Sequence, residues 1–344
     1  GQGESQYADG LTGLAIVAAH RGHPHEARHN LEKARAVYQT IEDNFMLSST
    51  CQLELERVQL PYFTDDLKGR RRLAVLGEDA TIRSRNATSG MPLRWYAAGD
   101  LALAGDWHAA WEIATGMRSG PSRLVHTYGA RWLVPLAAWR GDTDLAWQII
   151  GQILTGGPET GPGTAYFPEA PPLQRIAASM YLDAGDFPTA RAWLQAHDRW
   201  MDWSGAVLGR AEGALGWAQY HHAEGAASLA RSLAEQALAY ATDPRQPLAL
   251  IAIHRFLGQL DTEEQQFETA EDHLRESLKL ADACQAPFER ALTLLEIAKL
   301  RAGRSMADEA RTLLAEVRAI CEPLEAKPTL EKVVQLEIRL NGTV

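Results

Sequence analysis

A period of about forty residues constrains this chain more than any other feature, because a fixed repeat of that length is the signature of stacked supersecondary units. An Ala that in most units follows a Gly-containing turn, with a small or apolar residue four positions on, recurs as Ala27/Leu31, Ala110/Ala114, Ala146/Ile150, Ala190/Leu194, Ala230/Ala234, Ala270/Leu274 and Ala310/Leu314. The alanines lie 83, 36, 44, 40, 40 and 40 residues apart. The first gap holds two periods, which places one degenerate unit around Cys51–Leu76 and makes room for eight units. Twelve residues before each key Ala stands another small residue or Val: Ala15, Ala98, Val134, Ala178, Ala218, Gly258 and Ala298. Small side chains at both places let two antiparallel helices approach closely. The turns His20-Arg21-Gly22-His23-Pro24, Ala104-Gly105-Asp106-Trp107, Trp139-Arg140-Gly141-Asp142 and Ala184-Gly185-Asp186-Phe187 agree. Gly ends one helix in a left-handed cap and Asp caps the next. Each unit reads as helix, tight turn, helix.

The segment Leu257-Gly258…Ala270-x3-Leu274 resembles the tetratricopeptide repeat, and Pro244 and Pro287 fall near the ends of their units. The units exceed the consensus of about 34 residues, so their helices and connections are longer. No strand-like alternation competes. The expected fold is an all-α, right-handed superhelical solenoid of about eight helix-turn-helix repeats. The repeats fall roughly at 7–45, 46–88, 92–120, 126–156, 172–204, 208–243, 247–286 and 288–327, with a terminal helix over 329–340. Between them, residues 154–172 (LTGGPETGPGTAYFPEAPP) carry too much Gly and Pro for helix. Two readings of this loop stay open: an inert surface excursion, or a cover over the concave groove anchored by Tyr166 and Phe167.

Composition narrows the function classes. Apolar residues make up 46% and charged ones 23% of 344 residues, which excludes a disordered chain. Apolar stretches such as Leu14–Ala19 fall far short of the ~18 residues a spanning helix needs, so no membrane partner is expected. A net charge of −10, from 34 basic and 44 acidic residues, argues against direct nucleic-acid contact. Cys51, Cys284 and Cys321 are far apart and odd in number, which points away from a disulfide framework and toward a reducing cytoplasm. The start Gly1-Gln2-Gly3-Glu4-Ser5 has neither a basic nor an apolar leader region. It reads as a scar or an excised start, as expected of a piece of something larger.

One motif suggests chemistry. His25-Glu26-Ala27-Arg28-His29 is a literal HExxH, in which two His one turn apart hold zinc and Glu acts as base. Ala27 is the packing alanine of its repeat, however, so His25 and His29 point away from the buried face and are expected to be at most an adventitious metal site. Neither Gly156-Gly157-Pro158 nor Gly161-Pro162-Gly163 has the Gly-Lys-Ser/Thr ending of a phosphate loop, and His221-His222 forms no recognisable nucleophile–base arrangement. No enzyme and no cofactor are expected.

The groove offers more. In such solenoids the first helix of each pair lines the concave surface. Three residues before the small position stand Trp95, Arg131, Arg175 and Arg255; one residue after it stand Gln219 and Gln259; Tyr128 lies one turn before Arg131. Lined up, they form a cationic, aromatic stripe for a carboxylate, phosphate or stacking ligand, interrupted by Thr12, Leu215 and Leu295 in other units. In the competing reading each Arg simply pairs with an acid of the adjacent repeat. Most of the ten Trp residues read as inter-repeat packing, whereas Trp200 and Trp203 could form an exposed patch.

The run 281–295 (ADACQAPFERALTLL), followed by Ala310-Arg311-Thr312-Leu313-Leu314 and Ala319-Ile320-Cys321-Glu322, resembles the repeat region of large LuxR-type, MalT-like transcriptional regulators. The resemblance is best over 208–324 and implies a sensor that binds an inducer or partner protein, with ATPase and helix-turn-helix domains elsewhere in the full-length chain. The alternative is a stand-alone scaffold holding a peptide or protein in its groove; a metallopeptidase built on His25, Glu26 and His29 is the third reading.

Overall fold

The computed structural model describes residues 2–84, 90–118 and 123–342. Among them there are seventeen helices and no strand, arranged as eight antiparallel pairs and a final single helix. The pairs are α1 (Gln2–His20) with α2 (Pro24–Thr40), α3 (Asn44–Glu54, continued to Tyr62) with α4 (Leu67–Arg83), α5 (Gly90–Ala104) with α6 (Trp107–Arg118), and α7 (Arg123–Arg140) with α8 (Thr143–Ile153). They continue as α9 (Ala170–Asp183) with α10 (Phe187–Ser204), α11 (Arg210–Ala223) with α12 (Ala227–Thr242), α13 (Pro247–Glu263) with α14 (Phe267–Ala283), and α15 (Pro287–Gly303) with α16 (Ala307–Leu324), closed by α17 (Lys327–Asn341). The chain is an all-α repeat solenoid.

The small residues of the sequence pattern make the pair contacts. Ala27, Ala110, Ala146, Ala190, Ala230, Ala270 and Ala310 are each at most 1% exposed, and their counterparts twelve residues earlier are buried as well. A methyl group placed on Gly258 would lie 2.6 Å from Cγ of Leu274, so only hydrogen fits there. Asp106, Asp142 and Asp186 cap the second helices of their pairs, accepting from the amides of Ala109, Leu145 and Thr189 at 3.1, 3.2 and 3.1 Å. In the last two pairs Gln265 and Ser305 take the left-handed turn conformation instead of Gly.

The second pair shows why its unit is degenerate. In the seven other pairs the key Ala is the fourth residue of the second helix, and in α4 that residue is Arg70, buried and donating to the Thr64 carbonyl at 2.7 Å. The opposing helix α3 widens into a π-helical turn at Leu55–Gln59, against which α4 packs. A π turn inserts one extra residue into the helix and commonly marks a functional position.

The solenoid also closes on itself. The turns inside the first four pairs dock in order on the connections that lead into later helices. Gly22, at φ +80°, has room for a Cβ only 3.1 Å from Pro244 and Val207, and the His20 carbonyl accepts from Val207 N at 2.8 Å. Asp65 holds Arg245 through two bonds of 3.0 and 2.7 Å. Gly105, at φ +87°, meets Pro287, and Gly141 meets Pro328. At Gly22 and Gly105 only glycine combines the positive φ with such close approach. The core follows the same route: Trp107 stacks on Trp139 at 5.5 Å and meets Phe288 edge-on at 4.8 Å. No helix among the described residues is long and apolar enough to cross a membrane.

Candidate functional site

Closure turns the concave groove into a cavity of about 310 Å³. Every pair contributes to its wall: His20 from the first, Glu56 and Arg57 from the second, Leu103 from the third, Arg131 and Trp132 from the fourth, Arg175 from the fifth, Glu212 from the sixth, Gln246 and Ala249 from the seventh with its lead-in, and Phe288 from the eighth.

One end of the cavity is charged. Glu56 and Arg57 belong to the π turn, in a helix that also buries Ser48, Thr50, Gln52, Glu54 and Gln59. Arg57 is buried and lies 3.1 Å from Glu56 and 3.0 Å from Glu169, itself fully buried. Burial alone would depress the Arg57 pKa, but the two carboxylates outweigh it and hold the guanidinium above its usual value. Arg131 approaches Glu169 at 3.4 Å and Glu56 at 3.8 Å, and its guanidinium lies 5.3 Å from the centre of the Trp132 ring. Arg175 lies 3.2 Å from Nε2 of His197 and 3.7 Å from Glu212. Desolvation pushes its pKa down, countered by Glu212 and reinforced by the like charge of Arg131. His20 donates from Nδ1 to the Ile16 carbonyl, 2.8 Å away, and burial lowers its pKa, with Arg57 and Arg131 adding to the effect.

Beside these charges the wall is aromatic, with Trp132, Trp139 and Phe288 lining the cavity. Trp132 has its place because Gly99 lacks a side chain: a Cβ there would lie 2.5 Å from the indole.

The irregular segment 154–172 covers this cavity. Its 3₁₀ turn Gly157–Glu159 leads to Tyr166, whose hydroxyl lies 3.0 Å from that of Tyr128, and to Phe167, which packs on His20 at 5.6 Å and lines the cavity. Glu169 then delivers its carboxylate to Arg57 and Arg131. Inert excursion is therefore the wrong description of this loop.

The expected stripe is split by the structure. Arg131 and Arg175 share the central cavity, and Tyr128 borders it through Tyr166 and by lying 5.9 Å under the Arg57 guanidinium. Gln219 lines a second cavity of about 260 Å³, which shares Arg175 and Glu212 with the first. Arg255 is paired with Glu289 at 2.7 Å, and Gln259 bonds Glu263 at 3.0 Å beside a separate pocket near the last helix. The side chain of Trp95 lies outside the described residues. The stripe is also not cationic as expected: Arg131 faces Glu169 of the covering loop, and Arg175 and Arg255 face Glu212 and Glu289 of the following units.

Two other expectations meet their geometry here. His25, Glu26 and His29 are all exposed on α2, and no group of three or more His, Cys, Asp or Glu suited to a metal occurs among the described residues. Trp200 is not on the surface: it is fully buried and donates to the Thr160 carbonyl at 3.0 Å, leaving Trp203 alone exposed. Sequence reasoning missed Glu56, Arg57 and Glu169. The signal was present in Glu54-Leu55-Glu56-Arg57-Val58, where charged and apolar residues alternate in the one unit without its alanine.

These features define a tetratricopeptide-like α-solenoid with a closed, charged and aromatic interior. No family model and no curated protein sequence matches the chain. Among solved structures it is similar to a Rap protein complexed with competence and sporulation factor, with a TM-score of 0.62 and 10% identity over 98% of this chain and 100% of that one. A signal transduction ATPase with numerous domains from Pyrococcus horikoshii, which carries a tetratricopeptide repeat sensor, gives a TM-score of 0.48 and 10% identity. That match covers 88% of this chain, which spans about half (54%) of the other. At such identity the likeness to the Rap protein is one of fold.

Proposed function

We propose that the chain is a non-catalytic sensor scaffold whose central cavity holds a ligand and reports its presence through the closure of the solenoid. One observation carries the reading: all eight pairs line the same cavity, so a ligand there touches both sides of the junction between the early and late repeats. A ligand that binds the closed form better than an opened one shifts the population toward closure by its differential affinity and by nothing else. The resemblance to MalT-like regulators supports the finer statement that closure is relayed to ATPase and DNA-binding domains of a longer chain. A second reading, a scaffold that holds a peptide or protein partner by itself, is favoured by the end-to-end likeness to the Rap protein, which is complexed with competence and sporulation factor.

The test is a thermal-shift screen of the chain against small-molecule inducers and short peptides. Saturation at a hundredfold excess over Kd stabilises by about 2.7 kcal/mol, and that shift should vanish in Arg131→Ala/Arg175→Ala. A ligand that stabilises this double variant as well as the parent binds elsewhere, and the cavity assignment fails.

A further inference from the structure

Resting on the sensor reading, the cavity's charges specify the ligand. The charged end holds the guanidiniums of Arg57, Arg131 and Arg175 and the carboxylates of Glu56, Glu169 and Glu212. Their charges cancel, His20 is held toward its neutral form, and Glu289 is neutralised by Arg255. A ligand bringing a net charge into this buried end would leave it uncompensated, which is costly.

The groups are nevertheless unequally satisfied. Arg231 and Arg245, elsewhere in the molecule, hold their carboxylates at 2.7 Å. In the cavity, among the described residues, Arg131 comes no closer to a carboxylate than 3.4 Å and Arg175 no closer than 3.7 Å. Glu212 faces Arg175 at that same distance, and its buried Oε2 accepts no hydrogen bond among the described residues. Buried polar groups in a native protein are normally paired. This end therefore offers under-used donors and an under-used acceptor side by side, next to the aromatic wall of Trp132, Trp139 and Phe288.

We infer that the cavity takes a free α-amino acid with an apolar side chain. Its carboxylate lies on Arg131 and Arg175 and its ammonium on Glu212, adding no net charge; its side chain rests on the aromatic wall. Arg175 and Glu212, which also line the second cavity, form the contact that the ligand inserts into.

Titration calorimetry of the full chain at pH 7 tests this with L-phenylalanine and L-leucine and with the N-acetyl, carboxamide and doubly blocked derivative of each. The zwitterion of at least one should bind at least tenfold more tightly than its three derivatives. Any blocked form within tenfold of its parent overturns the inference, as does absence of binding by both parents. A dipeptide such as phenylalanylphenylalanine binding more tightly than either amino acid overturns the single-residue assignment. Arg175→Met/Glu212→Gln removes one charge of each sign and so spares folding. It should weaken the zwitterion at least tenfold and leave the doubly blocked form unchanged; unchanged zwitterion affinity overturns the inference. Should blocked forms bind and stabilise the chain equally well, the sensor reading stands and only the ligand class falls. Should the thermal-shift screen find no ligand that depends on Arg131 and Arg175, the sensor reading falls too.

Discussion

The last three helix pairs and the first five solve the same packing problem differently. From α11 onward the key alanines recur every 40 residues, the buried positions are apolar or small with few exceptions, and charged residues mostly meet at the surface, as Arg275 and Asp272 or Lys279 and Glu276 do. In the first five pairs the period breaks, Arg70 stands in for alanine, a π turn interrupts α3, and Arg35, Glu54, Glu56, Arg57 and Glu169 are buried. Regular repeats supply a rigid frame, and irregular ones supply polar groups that a frame does not need. Sequence irregularity therefore marks the site.

The largest effect should follow from breaking the buried network. Glu169→Leu leaves Arg57 with Glu56 alone and should cost about 3–5 kcal/mol, read as a lower urea midpoint. The cysteines localise the damage. Burial pushes the Cys51 and Cys284 thiols up to about 12 and that of Cys321 to about 11, so each reacts appreciably only when its surroundings open. Labelling of Cys51 should accelerate in Glu169→Leu, with Cys284 and Cys321 unchanged. Equal acceleration at all three would erase the distinction between the two regions. Arg57→Met/Glu169→Leu, which removes both charges, should recover most of the loss.

A change in the regular part should be smaller. Gly258→Ala forces a methyl against Leu274 and should cost about 1–3 kcal/mol by overpacking. Its effect on labelling should appear at Cys284, in the same pair, before Cys51. The reverse order would show that the seventh pair is not an independent frame.

How legible each region was follows from the same contrast. Small residues facing small residues produce a period, so the pairs, Ala270 against Gly258 and the Asp caps could be read directly. Arg131 and Arg175 were reached by counting from that period. Their partners were not, because Glu56 and Arg57 lie where the period fails and Glu169 lies in a loop with no periodicity. Closure was invisible as well: Gly22 against Pro244 and Asp65 against Arg245 are contacts across about 180 residues or more, and nothing local in the chain encodes them. Trp200 was misplaced for a related reason, since its buried position depends on the Thr160 carbonyl of the covering loop.

The smallest effect concerns the junction. Asp65→Asn should cost at most about 1 kcal/mol, because the pair with Arg245 is partly exposed and screened by salt. Hydrogen bonding from Arg245 holds the Asp65 carboxyl below its usual range. Its contribution is thus complete above the unfolded-state value near 3.9 and is lost as pH falls through the lower folded one. Parent and variant should differ at pH 7 and converge near pH 2; a difference that persists at pH 2 would assign the loss to packing rather than charge.

Hydrogen exchange at the amides of Val207 and Leu208 tests the central claim most directly. Both amides point at the His20 carbonyl across the junction, at 2.8 and 3.2 Å, and neither belongs to a helix. With the cavity saturated by a ligand from the thermal-shift screen, their exchange should slow at least fivefold in the parent and stay unchanged in Arg131→Ala/Arg175→Ala. Exchange at these two amides that ignores the ligand would mean that occupancy and closure are not linked, and the sensor account would be wrong.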